Sequence, residues 1–318
     1  MRSRWPVMVR SAFWTVLLSL VLLAGPASAL RVVVISDLNG SYGSTSYSKR
    51  IPVAIQRIIA LRPDLVISTG DMVAGQRKPV LSEGEVRAMW AAFHRVVSDP
   101  LARAGIPLAV TPGNHDASAY GGFEGERRIF GEEWRARKPA LRFSDDVDYP
   151  FFYAFEMGGV RFASLDATTL GPLRGDQMAR LSSVMAGSGP AVTFSHLPLW
   201  PFAQKREREI IGDPALEALY HKLGVDLHLS GHHHAFYPGW KDGVAYVSQA
   251  CLGGGPRVLI GETVRSQHAF TILEFEGGAL SSVKAYAGPD FRTPIQTEAL
   301  PAQIRSGHAI LKRLDLAQ

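Results

Sequence analysis

The chain has 318 residues, 46% of them hydrophobic and 20% charged, the balance of a folded globular protein rather than a disordered or fibrous one. Its formal charge is +5, from 34 basic and 29 acidic residues, but three of the basic ones are Arg2, Arg4 and Arg10 in the leading segment. Without that segment 31 basic residues face 29 acidic ones, a net +2, and so nearly neutral a surface argues against nucleic acid as a partner.

The leading segment itself reads as a signal peptide over residues 1–29. A basic stretch precedes an apolar run at 12–24 and the small-residue site Ala27-Ser28-Ala29. The apolar run has 13 residues, whereas about 20 are needed to span a bilayer; an uncleaved anchor is the alternative. The expectation is an exported protein, periplasmic or secreted, with no stable membrane anchor after cleavage. Cys251 is the only cysteine, so an internal disulfide is excluded and stability has to come from a core, or in part from bound metal.

From residue 30 onward, short apolar runs alternate with helical patterns, and 30–318 reads as one domain. The runs at 30–36, 64–69, 107–112, 160–166, 191–195 and 225–230 are apolar almost throughout, as strands of a sheet covered on both faces are. Between them, Ile51, Ile55, Ile58 and Ile59 mark one helix face. Ser82 and Glu85 form a capping box ahead of a helix carrying Val86, Met89, Trp90, Phe93 and Val97. Met178, Leu181 and Met185 mark a third helix. A fourth has Asp213 as N-cap, Pro214 at its first position and Gly224 past its end. Residues 243–250 and 268–287 read as later antiparallel strands, the second a hairpin around Gly277-Gly278. The last thirty residues either wrap a sheet edge or fray.

Chemistry-bearing residues follow each of five strands. These are Asp37, Gly70-Asp71, Gly113-Asn114-His115-Asp116, His196 and Gly231-His232-His233-His234. In open α/β sheets ligands bind beyond the carboxyl ends of the strands, so five distant segments can converge on one crevice. In extended chain, residues two apart share a side, which lets Asp37 pair with Asn39 and His232 with His234. The glycines at 70, 113 and 231 are expected to permit sharp turns just before the ligands.

This set, in this order, resembles the calcineurin-like metallophosphoesterase superfamily, over roughly residues 31–275. The resemblance implies a four-layer α-β-β-α sandwich, an α/β fold with two mixed sheets packed face to face. It also implies two divalent metal ions (Mn, Fe or Zn) and a small phosphorylated substrate. Asp71 would bridge the metals, Asp37 and His234 would hold the first, and Asn114, His196 and His232 the second. A metal-bridged hydroxide would attack phosphorus, His115 would act as general acid and Asp116 would orient it. A metal pair suits this chemistry because it neutralises phosphate charge and acidifies water, and a donor set without thiolate suits Mn, Fe or Zn.

Asn39 departs from the family, which usually has His there. The tyrosine that substitutes in purple-acid-phosphatase relatives falls on Ala74. Asn39 offers a neutral amide oxygen, so as a ligand it would hold the first metal less tightly or favour an oxygen-loving ion. Otherwise it caps a turn with Gly40, or accepts a glycan in the sequon Asn39-Gly40-Ser41. Arg257, after a run of glycines, and His233, the variable residue of its motif, are candidate substrate contacts. Tyr42 and Tyr47 could line the pocket. The charged stretches 125–142 and 205–209 either rim the site or are plain solvated faces. His228 reads as a core histidine. A non-catalytic, metal-dependent binder of a phosphorylated or glycan ligand is the alternative function, and the presence of His115 argues against it.

Overall fold

The computed structural model describes residues 29–307 and 309–317; the expected signal peptide lies outside them except for its last residue, Ala29. In chain order the first elements are strand β1 (Leu30–Ile35), helix α1 (Arg50–Leu61), β2 (Leu65–Ser68), α2 (Glu83–Phe93), α3 (Asp99–Arg103), β3 (Leu108–Val110), α4 (Asn114–Ala117) and α5 (Glu124–Ala136). Then come β4 (Arg142–Asp148), β5 (Phe152–Met157), β6 (Val160–Ser164), α6 (Gln177–Val184), β7 (Ala191–Ser195), α7 (Pro214–Leu223), β8 (Leu227–Ser230), β9 (Tyr237–Lys241) and β10 (Val244–Ser248). The chain finishes with β11 (Ala269–Glu276), β12 (Ala279–Ala287), β13 (Thr293–Pro294), β14 (Gln303–Arg305) and β15 (Ile310–Arg313). Among the described residues no helix is long and apolar enough to cross a membrane.

The strands form a six-stranded sheet, ordered β13-β12-β11-β1-β2-β3, and a nine-stranded sheet, ordered β14-β15-β9-β10-β8-β7-β6-β5-β4. Both are mixed: β1, β2 and β3 run parallel, as do β6, β7, β8 and β10, and antiparallel strands flank them. The two-residue period of a strand assigns the layers. Tyr153 and Phe155 of β5, Val192 and Phe194 of β7, and Val247 of β10 point into the core shared with the six-stranded sheet. Their neighbours Phe152, Ala154, Ala191 and Tyr246 point outward, into a second core under α6 and α7. Helices α1, α2 and α5 cover the other face of the six-stranded sheet through Ile51, Ile55, Ile58, Trp90, Phe93 and Trp134. The result is the four-layer α-β-β-α sandwich.

The local signals act as their chemistry requires. The Ser82 hydroxyl accepts from Glu85 N, and the Glu85 carboxylate accepts from Ser82 N, a cap of about 1 kcal/mol. Asp213 accepts from Ala215 N, and Gly224 closes α7 in the left-handed region at φ 63°. The helical pattern around Trp90 continues past α2, but as a π turn at His94–Ser98, where His94 Nδ1 lies 2.7 Å from Ser98 Oγ. The last thirty residues wrap sheet edges: β13 pairs with β12, and β15 pairs with β14 and β9.

Parallel pairing decides where the chemistry lies. Val34 aligns with Ile67, and Ile67 with Ala109, so β1, β2 and β3 end side by side. In the other sheet Ser195 aligns with Ser230 and Ser230 with Ser248. Backbone bonds then tie the strand ends together, both between the sheets and within the second. Leu252 N donates to Ser36 O at 3.0 Å, Gly253 N to Asp37 O at 2.9 Å, and Gly231 N to His196 O at 3.0 Å.

Candidate metal centre

The loops after β1, β2, β3, β7 and β8 meet in a cavity of about 350 Å³, lined by Asn39, Asp71, Asn114, His115, His232, His234 and Arg257, among others. Asp37 and His196 lie beneath it, both fully buried. One ligand atom each from Asp37, Asp71 and His196 fall within 4.8 Å of one another.

Two clusters of donor atoms can be distinguished. In one, His196 Nε2 lies 2.9 Å from Asn114 Oδ1, 3.2 Å from His232 Nδ1 and 3.3 Å from Asp71 Oδ2. In the other, His234 Nε2 lies 2.9 Å from Asp37 Oδ1. Asp71 lies between them, with a ligand atom within 4.8 Å of both Asp37 and His196, and its Oδ1 accepts from His115 N at 2.9 Å.

Each histidine is held from behind, which aims its other nitrogen into the centre. His196 donates Nδ1–H to Thr69 O (2.8 Å), His234 donates Nδ1–H to Gly255 O (3.0 Å), and His232 donates Nε2–H to Glu209 Oε2 (2.9 Å). Such partners fix the tautomer and raise the basicity of a ligating imidazole. The backbone contributes as well: Asp37, Asp71, His232 and His234 all sit at positive φ, between 47° and 60°, a region sparsely used outside glycine and concentrated at functional sites.

The electrostatics are those of buried acids and bases pressed together. Burial pushes the Asp37 carboxyl up, but His234 and His196 outweigh it and hold it at about 2. Burial likewise opposes Asp71, which His196 and His115 keep well below the usual carboxylate range. Burial would lower His196, yet Asp71 and then Asp37 raise it to about 9. His232 is lowered to about 4, chiefly by burial. As a neutral ring it donates to Glu209, and that bond is the main reason the Glu209 carboxyl is lowered to about 2.

These residues fit a pair of divalent cations. The buried Asp37 Oδ1 has no hydrogen-bond partner among the described residues, although His234 Nε2 lies 2.9 Å away. Three imidazole nitrogens, an amide oxygen and two carboxylates converge there, with only protons to separate them. A cation in each cluster would satisfy all of them, with Asp71 shared.

Several expectations change. Asp116 does not orient His115. Its buried carboxylate accepts from Met72 N (2.7 Å), Val73 N (2.8 Å) and Gly113 N (3.1 Å), shaping the loops, and burial together with the charge of Asp71 raises its pKa to about 7. The imidazole of His115 is held instead by Gly75 O, which accepts from Nδ1 at 2.8 Å. His233 is not a substrate contact. It is fully buried, with Nδ1 accepting from Phe202 N (3.0 Å) and Nε2 donating to Glu209 O (3.1 Å). Of the three motif glycines only Gly70 takes positive φ (95°). Gly113 and Gly231 are needed because other backbone and side chains approach too closely for a Cβ.

Asn39 is only 8% exposed, which leaves no room for a glycan. It faces the cavity, and its side chain makes no hydrogen bond among the described residues, so it caps no turn; only its backbone N is engaged, to Asp71 O at 3.0 Å. Arg257 lines the cavity and donates through Nη1 to His232 O. Tyr42 and Tyr47 bond to backbone carbonyls and are not among the residues lining the cavity. His228 is a core residue, its Nδ1 2.9 Å from Thr193 Oγ1. The sequence reading missed Glu209 as a partner of His232. The signal was present in the charged stretch 205–209, where Arg206 and Glu209 both reach the cavity; the stretch 125–142 is mostly α5 and the loop leading into β4, with ion pairs of its own.

A family model described as calcineurin-like phosphoesterase matches residues 30–236. No match was found among curated proteins. Among solved structures, a purple acid phosphatase from yellow lupin (Lupinus luteus) seeds superposes with a TM-score of 0.62 at 18% identity, over 82% of this chain and 52% of that one. The chain thus spans about half the length of the lupin protein. A dimetal phosphatase from Danio rerio gives a TM-score of 0.54 at 15% identity, over 83% and 96%. PhoD gives 0.59 at 13% identity, over 83% and 71%. At these identities the likeness is one of fold.

Proposed function

We propose that this chain, a metallophosphoesterase that belongs to the calcineurin-like phosphoesterase family, hydrolyses small phosphate mono- or diesters outside the cytoplasm. The observation that carries the reading is the convergence of Asp37, Asp71, Asn114, His196, His232 and His234 on one cavity, their ligand atoms aimed inward by partners behind them. The basic, apolar and small-residue pattern of residues 1–29 supports export, to a periplasm or beyond.

When bound, a pair of divalent ions supplies charge neutralisation at the phosphoryl group and a water acidified toward neutral pH. Asp37, His234 and Asn39 would hold one ion, Asn114, His196 and His232 the other, and Asp71 both. Oxygen and imidazole donors without thiolate favour Mn, Fe or Zn.

The remaining work falls to this chain's own groups. With its Nδ1–H engaged by Gly75 O, the His115 ring as an imidazolium would carry a second proton at Nε2 and pass it to the leaving oxygen, returning to the neutral ring. Arg257 and Arg206 line the same cavity and present guanidinium donors to phosphoryl oxygens. Burial lowers the pKa of Arg257, but a guanidinium keeps its charge at neutral pH. Tyr120 and Leu170, half exposed at the mouth, are tied together by the bond from Leu170 N to Tyr120 Oη at 3.0 Å. They offer a surface for the ester substituent.

The test is hydrolysis of alkyl and aryl phosphate mono- and diesters by the chain without residues 1–29, with Mn, Fe or Zn supplied. His115→Ala should lower turnover of an alkyl ester by about 10²–10⁴-fold, and of an aryl ester by less, because a good leaving group needs little protonation. Equal losses on both would remove His115 from the acid role. Absence of turnover with every metal would leave ligand binding as the function.

A further inference from the structure

We propose that Gln76 is a positioning residue of the centre: it holds the Asn114 amide with its oxygen toward His196 and His232, and so sets the grip of that cluster on a divalent cation. The inference rests on the metallophosphoesterase reading and assigns a role to a residue outside the motifs.

A carboxamide has two ends of nearly the same shape and opposite polarity. Only one of the two orientations of Asn114 presents a ligand. Oδ1 lies 2.9 Å from His196 Nε2, and Nδ2 donates to Gln76 Oε1 at 2.5 Å. Reversal would set the Asn114 oxygen against the Gln76 oxygen and turn an NH₂ group toward the cation. Gln76 is itself directed: its Nε2 donates to Ser118 Oγ at 3.1 Å, and the same hydroxyl accepts from Tyr120 N at 3.2 Å. The donors thus run from Asn114 through Gln76 to the Ser118 oxygen, where the Tyr120 N–H also ends.

The backbone beneath is fixed as well. Gln76 sits in the left-handed region at φ 60°, and its N–H donates to Glu126 Oε2 at 2.8 Å. Glu126 is only 4% exposed, which places its carboxylate within the fold rather than in solvent. Gly75 accepts from His115 through its carbonyl and donates its N–H to His115 O at 2.9 Å. A Cβ on Gly75 would meet Glu126 and the His115 carbonyl. One dipeptide, Gly75-Gln76, therefore holds Asn114 and His115 together and couples the placement of a ligand to that of the acid.

The test compares wild type with Gln76→Met, which keeps the volume and loses the acceptor, and Gln76→Glu, which keeps an acceptor for Asn114 Nδ2. Cobalt(II) is titrated into each metal-free chain and followed by calorimetry and visible absorption. Steady-state hydrolysis of an aryl phosphate is measured in parallel. In Gln76→Met one of the two cobalt equivalents should bind on the order of tenfold or more weakly, with a changed absorption band, and kcat should fall more than KM rises. Gln76→Glu should return both readouts toward wild type. A Gln76→Met chain that titrates like wild type overturns the proposal, as does a Gln76→Glu chain equally impaired. If Gln76→Met fails to fold by circular dichroism, Ser118→Ala, which removes the anchor of Gln76, should weaken the same equivalent, and wild-type binding there overturns the proposal. A wild-type chain that takes up no divalent cation overturns the underlying reading instead.

Discussion

The two clusters of the centre are built differently. Asn114, His196 and His232 each have a partner behind them: Gln76, the Thr69 carbonyl and Glu209. In the other cluster His234 is held by Gly255 O, and Asp37 Oδ2 by Ser36 Oγ at 2.6 Å, but the amide of Asn39 is not held by any side chain or backbone group among the described residues. The first cluster is rigid before any cation arrives, while the second has a donor still free to turn. Preorganisation of this kind governs affinity and geometry, so the centre should fill unevenly.

The largest perturbation erases the difference. Asp71→Asn removes the charge both clusters share, and calorimetry should then show neither cation held and turnover at background. Two ions retained in that variant would remove Asp71 from the bridging position. Next, Glu209→Gln should loosen only the rigid cluster, by about 10–100-fold in affinity, because His232 loses its carboxylate partner. The other equivalent should titrate unchanged, and a uniform loss would show the clusters to be inseparable. The smallest effects belong to Asn39. Asn39→Ala should weaken the looser cluster by less than about tenfold, the usual lower bound for a supporting group. Asn39→His, which supplies the imidazole usual in the family, should raise its preference for zinc over manganese. If the unmodified chain keeps two zinc ions through mild chelation, Asn39 is a strong ligand and the asymmetry disappears.

The centre was legible in the sequence because its residues obey a rule of topology: each follows an apolar run that could only be a strand. Parallel pairing then brings those ends together, and the short motifs need no long-range information. The punctuation of α2 and α7 was legible for a similar reason, since a capping group lies within three residues of what it caps. Other elements were hidden by their surroundings. Helix α5 buries Ile129, Phe130 and Trp134, but the charges around them make it read as a solvated stretch. Strand β4 is largely exposed and its register breaks twice against β5, so it shows little apolar alternation. Glu209 is a surface acid by sequence and a partner of His232 only in three dimensions. Asp116 was given a chemical role through its neighbour His115, whereas the carboxylate turns back onto three loop amides.

The motif glycines bear on how such a centre can change over generations. A methyl group on Gly70 would collide with Gly113 and the His196 ring, one on Gly113 with the Asp71 amide, one on Gly231 with Ser36, and, outside the motifs, one on Gly253 with the Leu38 carbonyl. Each glycine protects a segment from elsewhere in the chain rather than its own. The strand-end loops are therefore sterically interlocked: a side chain added at any of these glycines has to displace a distant neighbour. Diversification is left to what surrounds them, such as the open position at Asn39 and the Tyr120–Leu170 lip at the mouth.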